Sequence, residues 1–226
     1  MISVWGRDST VADVLSQLAA RLCAGDAKAV AQLTLAALDG GLAPSEVLDG
    51  GLVTGMDRIG VDFRNGVVFV PEVLVAARAM HAGLDILRPL LAQADVAPTG
   101  KVVLGTVVGD LHDVGKKLVG MMLEGAGFNV VYLGIDTPPE RFVEAVKNEN
   151  PDLVGMSALL TTTLPGMKRT IDALPRAGVW GSVKIMVGGA PVTQGFAEKI
   201  GADGYAPDAA SAAELARSLV GKGGWR

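Results

Sequence analysis

The second half of this chain constrains its fold most. From Lys101 onward, short and nearly continuous apolar runs alternate with amphipathic stretches five times. KVVLGTVV precedes a helical pattern over Val114–Glu124, NVVYLG precedes Pro139–Asn148, and DLVGMSA precedes Leu164–Leu174. VKIMVGG then precedes Val192–Ile200, and a short run near Gly204–Tyr205 precedes Ala209–Val220. Strands that are apolar on both faces belong to a parallel sheet with helices on both sides. The alternation predicts an α/β fold built on a doubly wound, five-stranded parallel sheet. Such sheets bind ligands outside the carboxyl ends of their strands, so the informative loops are those that follow each strand.

The first half has a different grammar, helical from about Asp8 to Leu91. Val14, Leu15, Leu18 and Leu22 fall on one face of a helix over Val11–Leu22. A second helix is predicted over Ala27–Leu38 and ends at Gly40–Gly41. Pro44 and Ser45 open a third that reaches Phe63, and a turn over Arg64–Gly66 separates it from a fourth running from Pro71 to Leu91. Four helices joined by short turns predict a four-helix bundle over residues 1–91. Ala92–Gly100 is polar and carries Pro and Gly, which marks a linker at 92–100 ahead of an α/β domain at 101–226.

Composition narrows the partners. The net charge is −4 and no block of basic residues occurs, which argues against nucleic acid or an anionic membrane. The single cysteine, Cys23, excludes an internal disulfide and a cysteine-based zinc site. MISVWGRDST has no basic segment followed by a long apolar run, and stretches such as VVLGTVV are too short to span a bilayer. A soluble, cytoplasmic protein is expected.

Three strand-end loops carry chemistry. The first is Gly109-Asp110-Leu111-His112-Asp113-Val114-Gly115, the second Ser157-Ala158-Leu159-Leu160-Thr161-Thr162-Thr163, and the third Gly188-Gly189-Ala190. The first is not a phosphate cradle, because its glycine spacing is wrong and two carboxylates would repel a phosphate. A phosphoacceptor site of the receiver type would want a carboxylate after the third strand, where Ser, Leu and Thr stand instead. Metal ligation fits better: Asp110 can accept from one imidazole nitrogen of His112 and leave the other for a metal. One histidine cannot hold a bare ion tightly, so the metal would arrive already coordinated within a macrocycle. The alternative is a loop histidine that caps the next helix.

The motif D-x-H-x-x-G at Asp110–Gly115, followed by S-x-L at Ser157–Leu159 and G-G at Gly188-Gly189, resembles the cobalamin-binding domain family, with its flavodoxin-like fold. Gly55-Met56, Gly60, Phe63, Gly66, Phe69, Pro71-Glu72 and Ala77–Met80 resemble the helical cap of methionine synthase and of methyltransferase corrinoid proteins. The resemblance runs from about residue 10 to 220. It implies cobalamin with His112 as the cobalt ligand in place of the cofactor's own base, Asp110 bonded to His112, and Thr163 supporting Asp110. It also implies cofactor contacts at Asp113 and Gly115, with Ser157, Leu159 and Thr161 near the buried nucleotide tail. Gly188 and Gly189 would let the backbone approach that tail, and Tyr205 and Ala209 would lie near its far end. On the cap, Phe63 and Val70 match positions over the upper axial face, and Asp49 matches an acidic position near the cofactor rim.

The same resemblance implies a methyl carrier. A substrate-specific methyltransferase would load cob(I)alamin, and the methylcobalamin form would pass the group to tetrahydrofolate or a thiol on a second methyltransferase. A reductive activator is a further expected partner, and the linker is the expected hinge for opening the cap. A mutase subunit normally lacks this cap. A cobalamin sensor needs an output segment that Met1–Ser9 is too short to supply, and cofactor storage stays open.

Overall fold

The computed structural model describes residues 5–94, 96–179, 181 and 183–221. Residues 1–4 and Asp95, on which the expectations about a leader and a linker partly rest, lie outside the described residues. The chain divides into two compact units, Met1–Ala97 with Gly125–Gly127, and Pro98–Glu124 with Phe128–Arg226.

The helical unit contains α1 (Trp5–Cys23), α2 (Ala27–Asp39), α3 (Pro44–Val47), α4 (Thr54–Arg64) and α5 (Val70–Gln93). Helix α1 begins before Val11, and α5 extends two residues into the stretch expected to be linker. Leu18 and Leu22 of the apolar stripe are fully buried, while Val14 and Leu15 are half-buried. Local signals set the helix starts. Asp26 accepts the Ala29 N–H at 3.0 Å, Glu46 accepts the Ala43 N–H at 2.7 Å, and Glu72 accepts the Phe69 N–H at 3.0 Å.

The expected third helix over Ser45–Phe63 is not regular. Between α3 and α4, Leu48–Val53 forms a π-helical segment. Close packing accounts for the residue choice there: a Cβ on Gly51 would stand 2.4 Å from Leu18 Cδ2 of α1. The widened turn and the missing side chain let the two backbones approach, a feature helical periodicity does not announce.

In the α/β unit, five strands alternate with five helices: β1 (Gly100–Val107), α6 (Val114–Gly125), β2 (Phe128–Thr137), α7 (Pro139–Glu149) and β3 (Leu153–Ser157), then α8 (Leu164–Arg176), β4 (Lys184–Gly188), α9 (Gln194–Ile200), β5 (Gly204–Ala206) and α10 (Ala209–Val220). All neighbouring strands pair in parallel in the order β2-β1-β3-β4-β5, the flavodoxin-like arrangement. Strand β1 is buried along most of its length, whereas β2 forms one edge and exposes Tyr132 and Ile135. Strand β2 runs to Thr137, three residues beyond the expected end at Gly134. Val103, Val154, Met156 and Val187 pack with Phe142 of α7 and Met167 and Ile171 of α8 into one core layer.

This packing makes a prediction about β1. A Cβ on Gly105 would stand 2.6 Å from Cζ of Phe142, whose side chain is fully buried. Gly105→Ala is expected to destabilise the fold by about 1–3 kcal/mol through overpacking. Chemical denaturation would read this as a lowered midpoint, and an unchanged midpoint would show that Phe142 can yield.

Candidate cobalamin site

The sheet order places the site. From β1 the chain moves to one side to form β2 and then returns to the other side for β3, so the loops after β1 and β3 diverge from neighbouring strands. Thr106 of β1 is register partner to Ser157 of β3, and their hydroxyl oxygens are 3.1 Å apart. Thr106 also donates to the His112 carbonyl oxygen at 3.0 Å. The two loops are thus joined at their roots.

At their centre lies the carboxylate of Asp110, whose side chain is fully buried. Its Oδ1 accepts from the His112 backbone N–H at 3.0 Å and lies 2.7 Å from His112 Nδ1. Its Oδ2 accepts from the Leu159 N–H at 2.7 Å and the Leu160 N–H at 3.3 Å. The Thr163 hydroxyl stands 2.8 Å from Oδ2 and 2.8 Å from the Leu160 carbonyl oxygen. Burial alone would raise the carboxyl pKa. The bonds from the Leu159 and His112 N–H groups, the His112 ring and Thr163 outweigh it and hold the carboxyl well below the usual carboxylate range. An ionised carboxylate only accepts, so the proton between Asp110 and His112 sits on Nδ1. Nε2 is left for a ligand, and the His112 side chain is half exposed.

The two loops also present exposed apolar side chains. Leu111 and Val114 are strongly exposed, at 67% and 72%, and Leu159 and Leu160 are also exposed. A Cβ on Gly115 would meet nothing within 4 Å, so the face of α6 beside the loop is clear. Asp113 forms an ion pair with Lys117 at 2.7 Å. The Lys117 ammonium holds its carboxyl below the ordinary range.

Gly188 and Gly189 have a reason beyond ligand approach. A Cβ on Gly188 would stand 2.9 Å from the Ala206 carbonyl oxygen. Gly189 has φ +126°, and a Cβ there would fall 1.9 Å from the Ala158 carbonyl oxygen. The chain's own packing demands both glycines. It also ties the β4 end to the β3 loop, since the Ala158 N–H donates to Gly188 O at 3.2 Å.

The other expected residues are spread more widely. Thr161 is exposed on the β3 loop, and Ser157 is half-buried at the end of β3. Tyr205 is half-buried on the edge strand β5, and Ala209 is buried at the start of α10. In the helical unit, Asp49 is exposed on the π-helical segment, Phe63 is half-buried on α4, and Val70 is half-buried at the first position of α5.

The irregular carboxyl end of β2 adds a residue that the motifs do not single out. It brings Asp136, whose Oδ1 accepts the Gly109 N–H at 2.6 Å and whose own N–H donates to Asp110 O at 3.0 Å. The signal was a carboxylate at the carboxyl end of the second apolar run. Thr106, inside the first run, had no comparable signal because its role depends on strand pairing.

The donor set suits cobalamin. Among the described residues no three His, Cys, Asp or Glu side chains group into a metal cage. A single imidazole, oriented by a buried carboxylate on loops that carry exposed apolar side chains, matches a metal whose equatorial ligands belong to a corrin ring.

Comparison with known proteins agrees. Residues 100–214 match the family described as B12 binding domain, and residues 14–88 match a second family of the same description. Dimethylamine corrinoid protein 1 of Methanosarcina acetivorans is 47% identical over 182 residues, covering 80% of this chain and 85% of that protein. Corrinoid protein DSY3155 of Desulfitobacterium hafniense is 40% identical, covering 94% of this chain and 100% of that protein. The methanol:cobalamin methyltransferase complex MtaBC of Methanosarcina barkeri superposes with a TM-score of 0.80 at 30% identity, covering 92% of this chain and 80% of that chain. A cobalamin-binding protein of Desulfitobacterium hafniense superposes with a TM-score of 0.76 at 32% identity, covering 91% of this chain and 98% of that chain. A half-exposed histidine oriented by a buried aspartate, on a flavodoxin-like sheet preceded by a helical unit, thus coincides with both family matches: the chain belongs to the cobalamin-binding corrinoid proteins of methyltransferase systems.

Proposed function

We propose that this protein is a methyl-carrying corrinoid subunit in which His112 would hold the cobalt of cobalamin through Nε2. The observation that carries the reading is the Asp110 network, which orients one imidazole and leaves its Nε2 for coordination. When bound, cobalamin supplies a cobalt centre that can accept and release a methyl group. Every other contribution comes from the chain. Asp110 keeps the proton on Nδ1, which fixes the tautomer and makes Nε2 the basic nitrogen. Thr163 and the Leu159 and Leu160 amides hold that carboxylate still and ionised.

The remaining assignments are part of the same proposal. Asp113, Gly115, Ser157, Leu159, Thr161, Gly188, Gly189, Tyr205 and Ala209 contact the cofactor on the α/β unit. Phe63, Val70 and Asp49 contribute cofactor contacts from the helical unit. Residues 1–91 form the cap and 92–100 the hinge on which it opens. One partner is a substrate-specific methyltransferase. A second methyltransferase takes the group to tetrahydrofolate or a thiol, and a reductive activator restores the cofactor after oxidation. The dimethylamine and methanol systems named for the relatives support a small methylated amine or alcohol as the methyl source. Among the described residues no helix is long and apolar enough to cross a membrane, in keeping with partners met in solution.

Reconstitution with hydroxocobalamin tests the ligand. The chain is expected to bind about one equivalent and give a histidine-ligated visible spectrum, which His112→Ala converts to a base-off, water-ligated one. Failure to bind any corrinoid would overturn the proposal. Asp110→Asn removes the charged acceptor and is expected to weaken imidazole ligation about 10–100-fold in a spectral titration.

The same variant predicts a pH effect on stability. Because the Asp110 carboxyl is depressed in the folded chain, its stabilisation is complete above about pH 4 and is lost as pH falls through the lowered value. Asp110→Asn should cost about 2 kcal/mol or more at neutral pH. It should also flatten the acid limb of the stability profile, and parallel limbs for the two proteins would contradict this.

A further inference from the structure

The end of β2 is irregular in a way the sheet does not require. Pairing with β1 is regular from Gly100 opposite Phe128 to Leu104 opposite Tyr132, and then slips twice before Val107 meets Thr137. Gly134, with φ +90°, and Asp136, with φ +49°, sit in that slip. Asp136 is exposed and lies in the left-handed region, where a residue with a Cβ carries an energetic cost. Glycine would adopt this backbone at lower cost, so the aspartate at 136 has to be explained by its side chain.

That side chain has a defined target. Asp136 Oδ1 accepts from the Gly109 N–H at 2.6 Å, and the Asp136 N–H donates to Asp110 O at 3.0 Å. One residue thus grips both peptide groups just ahead of Leu111-His112. The slip is held from the other end as well, since the buried Lys116 on the first turn of α6 donates its Nζ to Gly134 O. The loop from Gly109 to Lys116 is therefore pinned at both ends to one bulge. Because the Asp110 carboxylate is fixed by five donors, a small rotation of the Asp110 backbone would shift Oδ1 against His112 Nδ1.

We propose that Asp136 is a positioning residue for His112: by fixing the backbone of Gly109 and Asp110 it sets the orientation in which the imidazole is offered to cobalt. This rests on the reading of His112 as the residue that would hold cobalt. The role is distinct from that of Asp110, because the bonds of Asp136 go to the main chain of Gly109 and Asp110 and not to the ring or the Asp110 carboxylate. It acts on the main chain that carries them.

Three variants separate positioning from plain stability. Asp136→Gly keeps the backbone conformation but loses the acceptor, Asp136→Ala loses the acceptor and strains the backbone, and Asp136→Asn keeps an acceptor oxygen. Each is reconstituted with hydroxocobalamin, and the imidazole–cobalt equilibrium is read from the visible spectrum beside the thermal midpoint. The cofactor-free chain is read by nitrogen NMR of the His112 ring, assigned with His112→Ala because only two histidines are present. Asp136→Gly and Asp136→Ala are expected to weaken ligation about tenfold. They should also broaden or shift the Nδ1–H signal of the cofactor-free ring, and Asp136→Asn should restore most of both. Wild-type ligation and unchanged ring signals in Asp136→Gly would overturn the proposal, whatever its thermal midpoint. If the parent chain bound no corrinoid, the functional reading would fall, while the ring signals of the cofactor-free variants would still decide the role of Asp136.

Discussion

The site depends on one buried charge. A carboxylate removed from water is costly unless donors surround it, and Asp110 finds them on two separate segments of chain. Two bonds come from His112 in its own loop, and the Leu159, Leu160 and Thr163 bonds come from the loop after β3. The carboxylate therefore crosslinks the two loops as well as orienting the imidazole. The same bonds that make its burial tolerable keep it ionised, and an ionised Asp110 is what places the proton on Nδ1. Stability and ligand chemistry are two consequences of one arrangement.

That arrangement is available only because of the strand order. With β1 between β2 and β3, loops nearly fifty residues apart in sequence leave from adjacent strand ends. The β4 end joins them through Gly188 and Gly189, whose lack of a side chain lets β3, β4 and β5 approach closely at the carboxyl edge. The edge strand β2 contributes through the irregularity of its pairing. A regular ladder would carry Asp136 past the loop, and the slip turns it back onto Gly109 and Asp110. The regular part of the sheet builds the platform, and its irregular end shapes what the platform presents.

Much of this was legible in the residues. The five-fold alternation of apolar runs and amphipathic stretches corresponds to the five strand–helix units, because a strand buried on both faces has to be apolar throughout. The motif around His112 could be singled out because a histidine between two aspartates at a strand end is hard to explain by packing. Two features had no such trace. The π-helical segment at Leu48–Val53 arises from how closely Gly51 lies against Leu18, a distance that periodicity does not encode. Thr106 looks like any small polar residue in a strand until pairing sets it against Ser157 and beneath the His112 carbonyl.

By itself, then, the sequence determined the order and kind of the elements, the strand ends at which chemistry could lie, and the loop histidine that is the candidate ligand. These are local properties, carried by side-chain polarity at intervals of two or about three and a half residues and by residue types at a loop. Only the tertiary structure decided which carboxylate would be buried, which would pair with Lys117 and which would brace the loop, although Asp110, Asp113 and Asp136 are chemically the same group. The reason is that burial, donor count and backbone conformation are set by contacts between segments far apart in the chain, and those exist only once the sheet has formed.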